Sequence, residues 1–130
     1  MRQHVVQAII AASSLGSLLI GCSDATVTDP NVVQFPDSAV SYRDHVDPFL
    51  TLTCGDCHNS SLSAGDIDLT NYSSLMFDRP NLVVPGQPDE SLIMMVLEGR
   101  VAHVVGNINQ VPTNHVNGMR TWIREGARNN

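Results

Sequence analysis

Cys54-Gly55-Asp56-Cys57-His58 puts two thiols three positions apart and an imidazole directly after the second. On one helical turn, such thiols can each bond a vinyl group of one porphyrin, and the imidazole that follows can lie under the iron. The run therefore reads as an attachment site for one covalent haem c per chain, with Cys54 and Cys57 as thioether donors and His58 as proximal iron ligand. Other chemistries use the same residue types. A Cys54–Cys57 disulfide is strained across so short a loop. A thioredoxin-like thiol pair wants a βαβ context, and no such pattern surrounds these residues. A zinc site needs two more ligands, for which His45 and His103 are loose candidates.

The chain has 3 cysteines, and the third, Cys22, closes an N-terminal export signal. Arg2 lies in a short polar start, and Val5 to Ile20 is mostly apolar and small, broken by Gln7, Ser13, Ser14, Gly16 and Ser17. That quality fits a signal segment better than a membrane-spanning helix, which needs about 20 strongly apolar residues. Leu19-Ile20-Gly21-Cys22 resembles the lipobox of bacterial lipoproteins. The resemblance implies cleavage before Cys22 and acylation of its thiol; the alternative is an ordinary signal peptide cleaved nearby. Acylation would also remove a lone thiol from an oxidising compartment. Export and haem attachment support each other, because the bacterial attachment machinery works outside the cytoplasmic membrane.

Loss of residues 1–21 from the 130-residue chain leaves 109 residues, one small domain and a tether. The expected organisation is a lipoprotein signal peptide at 1–21, a lipid-anchored tether at 22–38 and a haem domain at 39–130. Phe35, Phe49, Phe77, Tyr42, Tyr72 and Trp122 are few aromatics for a core, which a haem would supplement. The mature chain has 6 Arg against 13 acids and no Lys, a net charge of −7. That balance argues against nucleic-acid binding and suits docking to a basic patch on a redox partner.

The elements that must position the motif follow from periodicity. Residues 23–38 are polar with Pro30 and Pro36, a coil spanning roughly 20–25 Å, or else an arm packed on the domain through Val32, Val33 and Phe35. A helix begins near Ala39, capped by Asp37 or Ser38, with Val40, Tyr42, Val46, Phe49, Leu50 and Leu52 on one side; Pro48 should bend or break it. Asp66 to Leu69 alternates, and Asn71 to Phe77 makes one or two helical turns. Asp89 caps a helix apolar on every side from Leu92 to Leu97, ended by Gly99. Thr113 caps the last helix, with Val116, Met119, Trp122 and Ile123 inward and Gly126 as its stop. No strands or repeats are legible, so the fold class is all-α.

These elements resemble the small class I cytochrome c domains, especially the lipoprotein-borne and planctomycete-type ones. The match rests on Val46-Asp47-Pro48-Phe49-Leu50 before the cysteine motif, Gly65 to Leu69 after it, Val84-Pro85-Gly86-Gln87-Pro88-Asp89-Glu90-Ser91-Leu92, and the final Trp122-Ile123-Arg124-Glu125-Gly126-Ala127. It implies a helical domain around one covalent haem and an electron carrier rather than an enzyme. The chain departs from the family in one place: a Met-Pro pair, whose Met is the distal iron ligand, is missing before the last helix. His103 stands 45 positions after His58, near where that Met falls, and is the candidate distal ligand. Met94, Met95, His115 and Met119 are lesser candidates for that ligand and otherwise read as core; His45 reads as a capping or solvated ring or one facing a haem edge, and Arg100 and Arg124 as surface or as partners of haem propionates.

The expected function is electron transfer by a membrane-tethered monohaem cytochrome, docking to a periplasmic or membrane redox partner. Two alternatives carry different chemistry. An open distal site would make the haem a ligand sensor or weak peroxidase, and a haem-free chain would be an interaction or thiol-redox module. The expected location is the bacterial cell envelope, facing the periplasm, with Ser23 after the lipidated cysteine favouring the outer over the inner membrane.

Overall fold

The structure is a computed structural model that describes residues 29–103 and 111–130. The expected signal segment, Cys22 and the first part of the expected tether lie outside the described residues, as do residues 104–110. The described chain is helical, and no strand forms among those residues. Its four α-helices are α1 (Asp47–Cys54), α2 (Tyr72–Phe77), α3 (Leu92–Leu97) and α4 (Thr113–Arg124).

The helix leading to the cysteines starts later than Ala39. Ala39 itself takes a left-handed φ of 56°. The true start is Ser41, whose hydroxyl accepts from the Asp44 N–H at 3.1 Å. Tyr42–Val46 then forms a π-helical turn that runs straight into α1. Pro48 does not break the rotation. It falls in the first turn of α1, where a helix has no use for its missing N–H. The proline marks a change of hydrogen-bond register, and wide turns of this kind are uncommon. The apolar stripe is as periodicity requires: Val40, Tyr42, Val46, Phe49 and Leu50 are buried, and Leu52 packs against the core.

Two further caps differ from expectation. Pro88 initiates a 3-10 turn, Pro88–Glu90, which carries Asp89 away from the start of α3. Asp89 instead pairs with Arg120 at 2.9 Å, and that hydrogen bond holds its carboxyl below the usual range. Ser91 takes the junction, accepting from the Val84 N–H at 2.9 Å and donating to the Gln87 carbonyl at 3.0 Å. In α3, Ile93, Met94 and Leu97 are buried, while Leu92, Met95 and Val96 are half-buried. Thr113 does not cap α4 with its side chain; the Pro112 carbonyl accepts from His115 and Val116 at 2.9 and 3.2 Å. Met119, Trp122 and Ile123 face inward as expected, joined by His115 and Gly118.

The largest fully buried side chains, Trp122, Phe49, Leu50, Leu75, Met94, Met119 and Ile123, come from all four helices. Side chains therefore build this core themselves. Part of it comes from the segment expected to be a tether, since Val33 and Phe35 are buried and only Val32 points out. The boundary expected at Ala39 thus moves back to at least Val33. Alternation explains the inclusion: in extended backbone, residues two apart share a face.

That arm has a fitted seat on α4. The Phe35 N–H donates to Asn114 Oδ1, and Asn114 Nδ2 donates back to the Phe35 carbonyl, both at 3.2 Å. His115 Nε2 donates to the Val33 carbonyl at 2.7 Å. The Phe35 ring meets Phe49 edge-on at 5.8 Å. Gly118 makes room for it, because a Cβ there would sit 2.1 Å from the ring. The chain ends are also latched together. The Glu125 carboxylate accepts from the Ala39 and Val40 N–H groups at 2.7 and 2.9 Å.

Gly118→Ala should therefore destabilise the domain by about 1–3 kcal/mol, the usual cost of overpacking a close contact. Phe35→Ala removes the clashing ring, so the two substitutions together should cost less than the sum of their separate costs. Denaturant titration of the four proteins in the cycle checks this, and strict additivity would show that ring and glycine do not meet.

Candidate functional site

The site grows from the C-terminal end of α1. Cys54 is its last residue, half-buried and packed against the core. The chain then turns tightly, with the Cys57 and His58 N–H groups both donating to the Cys54 carbonyl, at 3.2 and 3.0 Å. Gly55 is required in this turn, since a Cβ would stand 2.4 Å from the Thr51 carbonyl oxygen. Asn59 ties down the exit: its Nδ2 donates to the Gly55 carbonyl at 2.6 Å, and its Oδ1 accepts from Ser61 and Leu62.

The segment after the motif folds back onto it. Ala64 N–H donates to the Cys57 carbonyl at 3.0 Å, and Leu69 N–H donates to the His58 carbonyl at 2.9 Å. This brings the Ile67 carbonyl to 3.2 Å from His58 Nδ1. A carbonyl oxygen only accepts, so Nδ1 carries the proton and Nε2 presents its lone pair outward. That is the tautomer and anchoring of an imidazole that ligates a metal through Nε2.

His103, 45 positions later in the chain, comes to the same place. The two ring centroids lie 5.8 Å apart with an interplanar angle of 54°. His103 is on the exposed side and His58 half-buried. The other described histidines are committed elsewhere. His45 Nδ1 accepts from the Ser41 N–H at 3.1 Å, and His115 is buried against the arm, stacked on Phe49 at 5.0 Å. Met94 and Met119 are fully buried in the core. Arg100 pairs with Glu98 at 2.8 Å on the surface, and Arg124 is exposed.

Cys54 and Cys57 are free thiols of different character. Cys57 is exposed, whereas burial pushes the Cys54 thiol from 9.0 up to about 11. Among the described residues, no group of three or more His, Cys, Asp and Glu side chains converges as a metal site. A closed zinc site needs four protein ligands. A porphyrin brings four nitrogens of its own, so the donors present suit haem better: two thiols in one turn and an anchored imidazole. Of the large apolar side chains left exposed among the described residues, Leu62 lies four positions after His58 and Val101 two before His103.

The family model described as Planctomycete cytochrome C matches residues 54–103. The chain carries a cytochrome c-type domain. The matched residues begin at the first motif cysteine and end at His103, so they span every described side chain of the site. No curated protein and no solved structure matches the chain. A cytochrome c-type domain implies covalent haem c and suggests haem-based electron transfer, and Cys54 and Cys57 are present.

Ile67 and Asn59 were not among the residues singled out from sequence. Ile67 acts through its main-chain carbonyl, which no residue type advertises. Asn59 had a readable signal, an Asx turn directly after the motif. In haem-free protein at pH 8, a thiol reagent should reach Cys57 well before Cys54. The raised Cys54 value lowers its thiolate fraction about a hundredfold, and its greater nucleophilicity returns about tenfold, leaving Cys54 about tenfold slower before access is counted. Time-resolved alkylation with peptide mapping reads the ratio; equal rates would contradict the burial of Cys54.

Proposed function

We propose that the chain is a monohaem c-type cytochrome, tethered to the cell envelope by lipid, that carries electrons between partners and is not an enzyme. The observation that carries this reading is the His58 ring, turned by the Ile67 carbonyl so that Nε2 faces away from its anchor, beside two free thiols in one turn. Cys54 and Cys57 would hold the porphyrin and His58 would hold the iron. The haem supplies a one-electron Fe(II)/Fe(III) couple.

The residues around it do the protein's share. Gly55 and Asn59 keep the thiols and the imidazole on one turn. The Ile67 carbonyl, accepting from Nδ1, would hold the ligand ring in one tautomer with Nε2 toward the iron. Cys54 packs against the core while Cys57 and Asp56 are exposed, so a group held by both thiols would reach the surface, where acidic charge suits a basic face on a redox partner.

Export and anchoring rest on the sequence of Leu19-Ile20-Gly21-Cys22. Among the described residues, no helix is long and apolar enough to cross a membrane. With the arm seated from Val33 onward and Pro30–Val32 in a 3-10 turn, fewer than ten residues separate Cys22 from the packed chain. That length holds the haem close to a lipid surface, facing the periplasm, with the outer membrane favoured.

Haem-stained denaturing gels of protein matured with a haem-attachment system should show a band. It should weaken in Cys54→Ala and in Cys57→Ala and vanish when both are replaced. A band at full strength in the double variant would overturn covalent attachment at this motif. Mass spectrometry of the mature N-terminus should find acylated Cys22; an unmodified start beyond Cys22 would overturn the anchor.

A further inference from the structure

The geometry points to His103 as the second axial ligand of the haem iron, which would then be held between two imidazoles. This deepens the reading above and rests on haem attachment at Cys54 and Cys57. Three observations carry it. The first is that the described ring meeting His58 is that of His103, with centroids 5.8 Å apart. Two imidazoles bound to one metal ion, each nitrogen about 2 Å from it, have centroids roughly 6 Å apart. The second is the orientation of His58, whose Nδ1 is spent on the Ile67 carbonyl. The nitrogen left to meet a metal is Nε2, on the far side of the ring from that anchor.

The third observation removes competitors. His45 accepts from the Ser41 N–H, and His115 donates to the Val33 carbonyl inside the core. Met94 and Met119 are fully buried and Met76 packs against the core, which leaves half-buried Met95 as the competing thioether that the spectra must exclude. A thioether from any of the first three would have to leave close-packed apolar surroundings. His103 instead stands on the exposed side, outside the apolar core.

The consequences are chemical. Two imidazoles saturate the iron, so small ligands such as carbon monoxide or peroxide must first displace one. That separates an electron carrier from a sensor or a peroxidase. Imidazole in place of a thioether also favours the oxidised iron, so the couple sits lower than it would with Met in that position.

The test uses the full chain matured with a haem-attachment system, followed by optical and electron paramagnetic resonance spectra. The wild-type protein should be low-spin with a bis-imidazole signature and should bind carbon monoxide poorly. His103→Ala should turn high-spin and bind carbon monoxide readily, and added imidazole should restore the low-spin spectrum. His103→Met should stay low-spin with a raised potential. Should a variant lose its haem on purification, the wild-type resonance spectrum alone decides, since it distinguishes two imidazoles from imidazole with thioether or water. A wild-type protein that is high-spin, or that shows thioether ligation, overturns the assignment. So does a low-spin spectrum that survives in His103→Ala. A wild-type chain with no haem at all overturns the attachment reading instead, and this inference with it.

Discussion

A single hydrogen bond organises the site: His58 Nδ1 to the Ile67 carbonyl, at 3.2 Å. An imidazole on a chain of single bonds can offer either nitrogen in several directions. Giving one nitrogen to a main-chain acceptor leaves one tautomer and one face. The acceptor is in place only because residues 58–69 close into a loop, pinned by Leu69 N–H on the His58 carbonyl and Ala64 N–H on the Cys57 carbonyl. Turn, loop and ring thus hold one another, and the thiols share the same frame through Gly55 and Asn59. Pre-orienting a ligand in this way tunes a metal site as well as building it.

The frame stands on the pairing of the chain's two ends. The π-helical turn and α1 lie against α4, and the carbonyl of Asn130 accepts from the Arg43 N–H at 3.1 Å and the Ser41 hydroxyl at 2.8 Å. Glu125 closes the neighbouring N–H groups of Ala39 and Val40. The arm through Phe35 seals the outer side of that pair. Under the lipid anchoring proposed above, this packing would shorten the span between Cys22 and the domain.

Much of this was legible in the sequence for identifiable reasons. The spacing of Cys54, Cys57 and His58 is chemistry written in residue type. The inward face of α4 at Met119, Trp122 and Ile123 is written in period, as is the stripe from Val40 to Leu50. Helix starts were harder. Asp89 and Thr113 have the right side chains for caps, but Pro88 and Pro112 moved the geometry, leaving one in an ion pair and the other uncapped. The arm was one of two readings left open, and its seat was hidden because it lies 79 positions away at Asn114. Its polar composition describes the exposed residues, while Val33 and Phe35 carry the packing. The anchor at Ile67 was invisible in kind, because every residue has a carbonyl and only the closed loop says which one matters. The family match ending at His103 gave the range of the domain's signature without the orientation of its rings.

The central claim is that one haem is bound through two thioether links at the end of α1. The most direct measurement is the alkaline pyridine haemochrome spectrum of the purified mature chain, combined with the mass of the intact polypeptide after acid and organic extraction. The account predicts the haemochrome band of a porphyrin whose two vinyl groups are both saturated, and a polypeptide heavier by one haem. A band characteristic of free vinyl groups, with haem passing into the organic phase and an unmodified polypeptide left behind, would contradict it.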